Sequence, residues 1–297
     1  MYKQIFMVFS LFFILNGQIF AQRPAQKNYP PDLPGSKEIT YKTVGETTLK
    51  LYMYTPKDHS PNQPRMAVVF FFGGGWSSGT PKQFEQQCLT LAKHGYVAIT
   101  VDYRVASRHQ VKPTECVADA KSAIRYVRSH AKVLGILPNK IVAAGGSAGG
   151  HLAASTALLP GLDDPKDDKN VSSVPNAVVM FNPAVIIAPV VDFNEKTFGG
   201  NRDAKSLGCE PKAISPFHHV GKNLPPMIIF HGKGDTTVPY RTVELFQEEM
   251  KKFPGNRCEL VGYEGQPHGF FNYGRNENKY YEDTTQKMLK FLETLEK

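Results

Sequence analysis

Three residues of this sequence have the types and the chain order needed for covalent acyl transfer: Ser147, Asp235 and His268. A serine hydroxyl becomes nucleophilic when a histidine removes its proton, and a carboxylate must orient that histidine. Ser147 is the centre of a Gly-x-Ser-x-Gly segment that follows an apolar run and precedes an alanine-rich one. This pattern predicts a tight strand-to-helix turn whose serine hydroxyl points outward, with flanking glycines because a Cβ there would collide with neighbouring backbone.

The candidate acid and base follow the serine in the order that such turns require, first the carboxylate and then the histidine. Asp235 comes after an apolar run over residues 226–231, and His268 lies in a glycine-flanked loop beyond the next apolar run. Of the nine histidines, His268 alone combines a loop position with this chain order. Asp192 also follows an apolar run and is the alternative acid.

The negative charge that develops on the carbonyl oxygen during acyl transfer needs preorganised N–H donors. Ala148, the residue after the nucleophile, is predicted to supply one of them. A second donor is expected from the glycine run Phe72-Gly73-Gly74-Gly75-Trp76, which directly follows a buried strand. Trp76, the only tryptophan, is predicted either to line the substrate pocket or to belong to the core.

The elements that must position these residues alternate between strands and helices. Apolar runs over residues 65–72 and 96–103 predict strands buried on both faces, so the expected fold class is α/β with a mostly parallel sheet between helices. Residues 37–297 are predicted to form one domain after an extended lead-in over residues 22–36. The long connection 182–216 either contributes to the substrate pocket or is structural. Further strands are predicted over 37–44, 47–54, 140–144, 177–181, 226–231 and 257–261, and helices over 82–94, 116–131, 148–159, 238–252 and 281–296.

The N-terminal segment is predicted to be a cleaved signal peptide over residues 1–21. Lys3 supplies its positive charge, residues 5–20 are mainly apolar, and Ala21 is a small residue suited to cleavage. The alternative is a membrane anchor, but the apolar stretch is shorter than a bilayer-spanning helix. We therefore expect an exported protein, periplasmic or secreted, with no membrane span after cleavage.

Charge distribution and cysteine spacing exclude several classes of binding partner. The net charge is +8, but the basic residues are scattered and accompany no nucleic-acid motif, so no nucleic-acid partner is predicted. The cysteines have no metal-ligand spacing, and neither a metal nor an organic cofactor is expected. In an exported chain they permit three complete disulfide pairings, with free thiols as the alternative. The four cysteines are Cys88, Cys116, Cys209 and Cys258.

Taken together, the motifs resemble the α/β-hydrolase superfamily, and within it the hormone-sensitive-lipase-like and carbohydrate acetyl- or feruloyl-esterase-like branch. The resemblance extends from about Lys37 to the C-terminus and is specific for the fold and the nucleophile rather than for the substrate. The motifs that carry it are Gly73-Gly74-Gly75-Trp76, Val101-Asp102-Tyr103-Arg104, Asp119-Ala120, Ile124-Arg125-Tyr126-Val127, Gly146-Ser147-Ala148-Gly149-Gly150-His151, Ser215-Pro216, His231-Gly232 with Asp235, and His268-Gly269-Phe270.

The resemblance implies roles for several further residues. It implies that Gly74 and Gly75 are the oxyanion donors of the glycine run, and that Asp102 and Arg104 are structural. The family normally has a histidine that braces the glycine run at the position of Phe72, so this chain departs from the pattern there. The chain has little N-terminal sequence for the helical cap that is common in lipase-like members of the family. We therefore expect an open pocket for bulky, water-soluble substrates.

The sequence thus predicts an exported serine carboxylesterase that hydrolyses acetyl or feruloyl esters, on plant or algal polysaccharide. Its partners would be small-molecule or oligosaccharide esters, and the oligomeric state is left open. The alternatives are a general carboxylesterase or lipase, a prolyl-oligopeptidase-like exopeptidase, and a catalytically silent binding module.

Overall fold

The computed structural model describes residues 29–191, 193 and 202–296. The predicted signal segment 1–21 lies outside these residues, and so does the alternative acid Asp192.

One eight-stranded sheet organises the described residues, with the strand order β1-β2-β4-β3-β5-β6-β7-β8. The first two strands pair antiparallel with each other, β2 pairs antiparallel with β4, and every later pairing is parallel. The predicted mostly parallel sheet is therefore confirmed. The strands are β1 Lys37–Val44, β2 Thr47–Tyr54, β3 Arg65–Phe71, β4 Val97–Val101, β5 Ile136–Gly146, β6 Ala177–Phe181, β7 Met227–Gly232 and β8 Cys258–Tyr263.

Helices connect the parallel strands and cover the sheet. The prediction for residues 82–94 merges two elements, because a 3₁₀ turn over Pro81–Phe84 precedes the first α-helix. No described helix is both long and apolar enough to cross a membrane. The α-helices are α1 Glu85–Lys93, α2 Ala106–His109, α3 Pro113–Ser129, α4 Ala131–Leu134, α5 Ala148–Leu158, α6 Ala204–Leu207, α7 Tyr240–Lys251 and α8 Lys279–Glu293, with further 3₁₀ turns at Pro211–Ile214, Pro216–His219 and Asn276–Asn278.

The hydrophobic core forms two layers, one on each face of the sheet. Strand β3 shows the reason, since Val68 and Phe70 pack into one layer and Val69 and Phe71 into the other. Successive side chains of a strand point to opposite faces, so a strand buried on both faces must be apolar throughout. The four cysteines are free thiols, which selects the free-thiol alternative over the three disulfide pairings.

Candidate active site

The turn between β5 and α5 holds Ser147 in a strained conformation, with φ of 54° and ψ of −120°. Such angles are rare for a residue with a side chain and persist only where the surroundings enforce them. A Cβ on Gly145 would lie 2.3 Å from the carbonyl oxygen of Gly149, and one on Gly149 would lie 2.0 Å from that of Phe71. The two flanking glycines are therefore required by close backbone packing, as the motif indicates.

The structure brings Ser147, His268 and Asp235 into one hydrogen-bonded chain. The Ser147 Oγ lies 2.9 Å from Nε2 of His268, and Nδ1 of the same ring lies 2.7 Å from Oδ2 of Asp235. The carboxylate is buried, whereas about a quarter (23%) of the histidine side chain is exposed. A hydroxyl, an imidazole and a buried carboxylate in this order can move a proton from the serine to the histidine.

Asp235 is held as an ionised carboxylate by a dense set of donors. Its Oδ1 accepts hydrogen bonds from the N–H groups of Thr237 and Val238, at 2.8 Å and 2.9 Å. Burial alone would raise the pKa of this carboxyl, but hydrogen bonds from His231 and His268 outweigh it and hold the pKa well below its ordinary value. An ionised Asp235 fixes the histidine with Nδ1 protonated and Nε2 free to accept the serine proton.

Asn182 is a further residue of the site, and the sequence reasoning missed it. It directly follows β6 and its Nδ2 donates to Oδ2 of Asp235 at 2.9 Å, while its Oδ1 accepts from the N–H of Gly269 at 3.2 Å. It is fully buried and has a φ of 43°. A signal was present: a polar residue directly after a buried apolar strand, ahead of Pro183, at the edge of the sheet where sites form.

Residues 72–79, here called the oxyanion loop, pass directly beside the nucleophile. A Cβ on Gly73 would lie 3.2 Å from the Cβ of Ser147. Gly74 and Gly75 have φ values of 127° and 64°, which favour glycine. Among the described residues none accepts a hydrogen bond from the N–H of Gly74 or Gly75, and Ala148 begins α5, where N–H groups lack intrahelical partners. These three N–H groups are available to stabilise an oxyanion.

Phe72 does not brace the oxyanion loop in the way the family histidine is expected to. Its ring stacks on that of Tyr103, with centroids 4.0 Å apart, and its carbonyl oxygen accepts the Tyr103 hydroxyl at 2.6 Å. The brace comes from another residue, because the N–H of Gly73 donates to Oε1 of Gln83 at 2.6 Å. The glycine run is therefore held by Tyr103 on one side and by Gln83 on the other.

Trp76 belongs to the oxyanion loop, and its side chain is buried against His151. Its Nε1 donates to Nδ1 of His151 at 3.2 Å, and Nε2 of that ring lies 2.7 Å from the carbonyl oxygen of Ile214. Burial lowers the pKa of His151 to about 4, with the hydrogen bond to Ile214 opposing the shift, so the ring is neutral near pH 7. Trp76 is only 2% exposed, which leaves little of its surface for contact with substrate.

The two residues that the resemblance makes structural, Asp102 and Arg104, form polar contacts that do not involve Ser147. Arg104 donates from two guanidinium nitrogens to the carboxylate of Asp119, both at 2.8 Å. Asp102 accepts a hydrogen bond from the hydroxyl of Tyr29, and burial raises its pKa to about 6. Within residues 29–191, 193 and 202–296, no group of three or more histidine, cysteine or acidic side chains is arranged to hold a metal ion.

Comparison with known proteins agrees with this geometry. The family described as BD-FAE matches residues 51–250, and the dienelactone hydrolase family matches residues 207–296. Thermogutta terrifontis esterase 2 in its butyrate-bound structure is 52% identical, with a TM-score of 0.86 over 91% of this chain and 98% of that one. The same esterase phosphoramylated by tabun gives a TM-score of 0.85, at 52% identity over 90% of this chain and 97% of that one. These matches confirm the predicted α/β-hydrolase fold.

More distant relatives are esterases as well. Esterase LipC of Mycobacterium tuberculosis is 29% identical over 83% of this chain and 64% of its own length. The acetylxylan esterase of Xylanibacter ruminicola is 27% identical over 88% of this chain and 51% of its own length. The chain thus spans about half to two thirds of the length of these curated relatives.

Proposed function

This chain belongs to the BD-FAE family of α/β-hydrolase esterases, and from that premise we propose that it hydrolyses carboxylic esters through a covalent intermediate on Ser147. The observation that carries the proposal is the hydrogen-bonded chain from the Ser147 hydroxyl through His268 to Asp235. The strained turn that presents the serine and the available N–H groups beside it support the same chemistry.

In the acylation half of the reaction, Oγ of Ser147 attacks the ester carbonyl carbon while Nε2 of His268 accepts the hydroxyl proton. Asp235 keeps the ring oriented through Nδ1 and stabilises the imidazolium that forms. The oxyanion of the tetrahedral intermediate accepts hydrogen bonds from the N–H groups of Gly74, Gly75 and Ala148. The intermediate then collapses, the C–O bond to the alcohol breaks, and the alcohol leaves with the proton from the imidazolium.

The deacylation half repeats these steps with water as the nucleophile. Nε2 of His268 accepts a proton from the water as its oxygen attacks the acyl carbon on Ser147. The same N–H groups stabilise the second oxyanion. Collapse releases the carboxylic acid, and the imidazolium returns its proton to the serine oxygen, which restores the starting state.

The substrates in this proposal are acetyl or feruloyl esters of plant or algal polysaccharide fragments. Support for a small acyl group comes from Thermogutta terrifontis esterase 2, whose structures have propionate and butyrate bound. Support for a sugar alcohol comes from the acetylxylan esterase among the relatives. The carboxylesterase NlhH of Mycobacterium tuberculosis, 26% identical over 86% of this chain, supports the broader alternative of a general carboxylesterase.

A cavity of about 280 Å³ offers a position for the sugar part of such a substrate. It adjoins the oxyanion loop, because Gln83 contacts Gly73, and the loop that carries His268, because Asn272 contacts Gly269. Tyr273 is 52% exposed at this cavity, and its ring provides an apolar face for a sugar ring to stack on. The lining residues are Lys82, Gln83, Glu85, Gln86, Asn272 and Tyr273.

Substitution of the nucleophile tests the reaction. We expect Ser147→Ala to lower kcat/KM for p-nitrophenyl acetate by about 10⁴-fold or more and to abolish labelling by a fluorophosphonate probe. Ser129→Ala is the control, since Ser129 is an exposed serine of α3 and its variant should keep both properties. Wild-type turnover in Ser147→Ala would overturn the mechanism, and an unlabelled wild type would favour the silent binding module.

A substrate panel tests the alcohol and the acyl group. We expect acetylated xylo-oligosaccharides to be better substrates than p-nitrophenyl octanoate, and an aminoacyl anilide to remain uncleaved. Tyr273→Ala should raise KM for the sugar ester about fivefold, because it removes the stacking ring, and should leave KM for p-nitrophenyl acetate unchanged. Tyr273→Phe keeps the ring and should keep both KM values. Preference for the octanoyl ester would indicate a general carboxylesterase or lipase, and anilide cleavage would indicate the exopeptidase.

Export through a signal peptide over residues 1–21 is part of the proposal, supported by Lys3, the apolar run and Ala21. Expression of the full chain in a bacterial host, followed by intact-mass measurement of the periplasmic, culture and membrane fractions, tests it. A product that begins near Gln22 is expected. A product that keeps Met1 in the membrane fraction would favour the anchor.

A further inference from the structure

We propose that the side-chain amides of Gln83 and Asn272 form a bridge that couples the oxyanion loop to the histidine loop, residues 264–275, and keeps both in position for acyl transfer. We call this pair the amide bridge. The catalytic consequence rests on the proposed function, whereas the coupling between the two loops can be measured without it.

The amide bridge consists of three hydrogen bonds in series. The N–H of Gly73 donates to Oε1 of Gln83 at 2.6 Å, and Nε2 of Gln83 donates to Oδ1 of Asn272 at 3.0 Å. Nδ2 of Asn272 then donates to the carbonyl oxygen of Gly269 at 2.8 Å. The chain therefore runs from backbone beside the nucleophile to the residue that follows His268.

The direction of these bonds fixes the orientation of both amides. A backbone N–H at one end requires an amide oxygen, and a backbone carbonyl at the other end requires an amide nitrogen. Gln83 must then point Nε2 toward Asn272, and Asn272 must point Oδ1 toward Gln83. In this arrangement each donor of the bridge has an acceptor. If either loop shifts or either amide flips, at least one donor or acceptor loses its partner, so the two loop positions depend on each other.

Other contacts hold the oxyanion loop but do not reach the histidine loop. The Tyr103 hydroxyl donates to the carbonyl oxygen of Phe72, and Arg108 donates to that of Gly79 at 2.7 Å. These contacts connect the loop to the segment that follows β4. Among the described residues, the amide bridge is the hydrogen-bonded side-chain connection between residues 72–79 and the histidine loop. Without the bridge, the N–H donors of the oxyanion loop and the ring of His268 could move independently. Their relative position decides whether both can act on the same substrate.

Isosteric variants test the coupling. Gln83→Met and Asn272→Leu keep side-chain volume and remove the polar atoms of the bridge. In hydrogen–deuterium exchange, Gln83→Met should raise exchange in peptides of the histidine loop, and Asn272→Leu should raise it in peptides of the oxyanion loop. The matched control is Gln86→Met: Gln86 lines the same cavity, and within the described chain its side chain makes no hydrogen bond. The coupling would be overturned if Gln83→Met raised exchange only in residues 72–84, or if Asn272→Leu raised it only in the histidine loop.

Kinetics on p-nitrophenyl acetate test the consequence. Each single variant should lower kcat about 20-fold with KM within about twofold of wild type, and the double variant should lose no more than the worse single variant. Affinity for an aryl trifluoromethyl ketone should fall by the same factor as kcat. Single variants within twofold of wild type, or losses that multiply in the double variant, would refute a positioning role. An inactive wild type with reciprocal exchange would refute the proposed function and leave the coupling supported.

Discussion

The turn that presents Ser147 and the oxyanion loop that faces it are held by different kinds of contact. The turn depends on backbone packed against backbone, with the Cα positions of Gly145 and Gly149 too close to neighbouring carbonyl oxygens for any Cβ. The oxyanion loop also has close backbone packing, at Gly74 and Gly79. In addition, it is held by side chains from outside the loop, those of Tyr103 and Gln83. A turn made by local sterics admits almost no variation, whereas a loop held by remote hydrogen bonds can change its supports between relatives. The resemblance implies a histidine at the position of Phe72, and in this chain Gln83 holds the glycine run.

Substitution of the second flanking glycine should produce the largest effect, because it attacks the turn itself. A Cβ at residue 149 would overlap the carbonyl oxygens of Phe71 and Phe72, at 2.0 Å and 2.4 Å. We expect Gly149→Ala to cost about 3 kcal/mol or more in the free energy of unfolding, measured by urea denaturation. Gly221→Ala is the control, since a Cβ on Gly221 has nothing within 4 Å. A Gly149→Ala protein as stable as the control would show that the turn can relax.

Removal of the Asn182 side chain should have the next largest effect, and it acts on the histidine side of the site. Asn182→Gly tolerates the positive φ but loses the bonds to Asp235 and Gly269. We expect kcat for an aryl ester to fall about 50-fold, which corresponds to about 2 kcal/mol in the activation free energy. Asn223→Gly is the matched control, because Asn223 is exposed with a φ of 59°. If both variants keep the wild-type kcat, Asn182 has no positioning role.

The same contrast decides how much of the site was predictable. The Gly-x-Ser-x-Gly motif and the chain order of Asp235 and His268 are local patterns, so their placement in one hydrogen-bonded chain follows from the alternation of strands and helices. Asn182 contacts Asp235 and Gly269, which lie 53 and 87 residues further along the chain. Gln83 contacts Gly73, which lies 10 residues earlier in a loop without a regular spacing. Sequence periodicity reports which face a residue occupies, not which distant backbone group its side chain reaches.

His151, which accepts a hydrogen bond from Trp76 of the oxyanion loop, should make the stability of the protein depend on pH. The backbone packing of the serine turn contains no titratable group. The pKa of His151 is about 4 in the folded chain, below the ordinary value of 6.5, because of burial. Its neutral form therefore contributes full stability above about pH 6.5, and that contribution is lost as the pH falls toward 4. We expect the wild type to lose about 2 kcal/mol of unfolding free energy between pH 7 and 5 from this residue.

The measurement is urea denaturation at both pH values, with His151→Gln as the variant that cannot titrate. Its stability should change less between pH 7 and 5 than that of the wild type. His94→Gln, at an exposed histidine, is the control and should follow the wild type. Equal pH dependence in all three proteins would mean that His151 does not set the acid sensitivity, and would weaken the view that remote contacts support the oxyanion loop.

Loss of the Tyr103 hydroxyl should give the smallest effect. It distinguishes the contribution of Tyr103 to the position of the oxyanion loop from that of Gln83. Tyr103→Phe keeps the ring stacked on Phe72 but leaves the carbonyl oxygen of Phe72 without its donor. We expect a loss of about 1 kcal/mol in stability and a decrease of kcat of about threefold, with Tyr273→Phe as the control at an exposed tyrosine. Because Gln83 remains in place, this decrease should be smaller than that of Gln83→Met. The reverse order would mean that the loop is positioned from the core through Tyr103 rather than from the histidine loop.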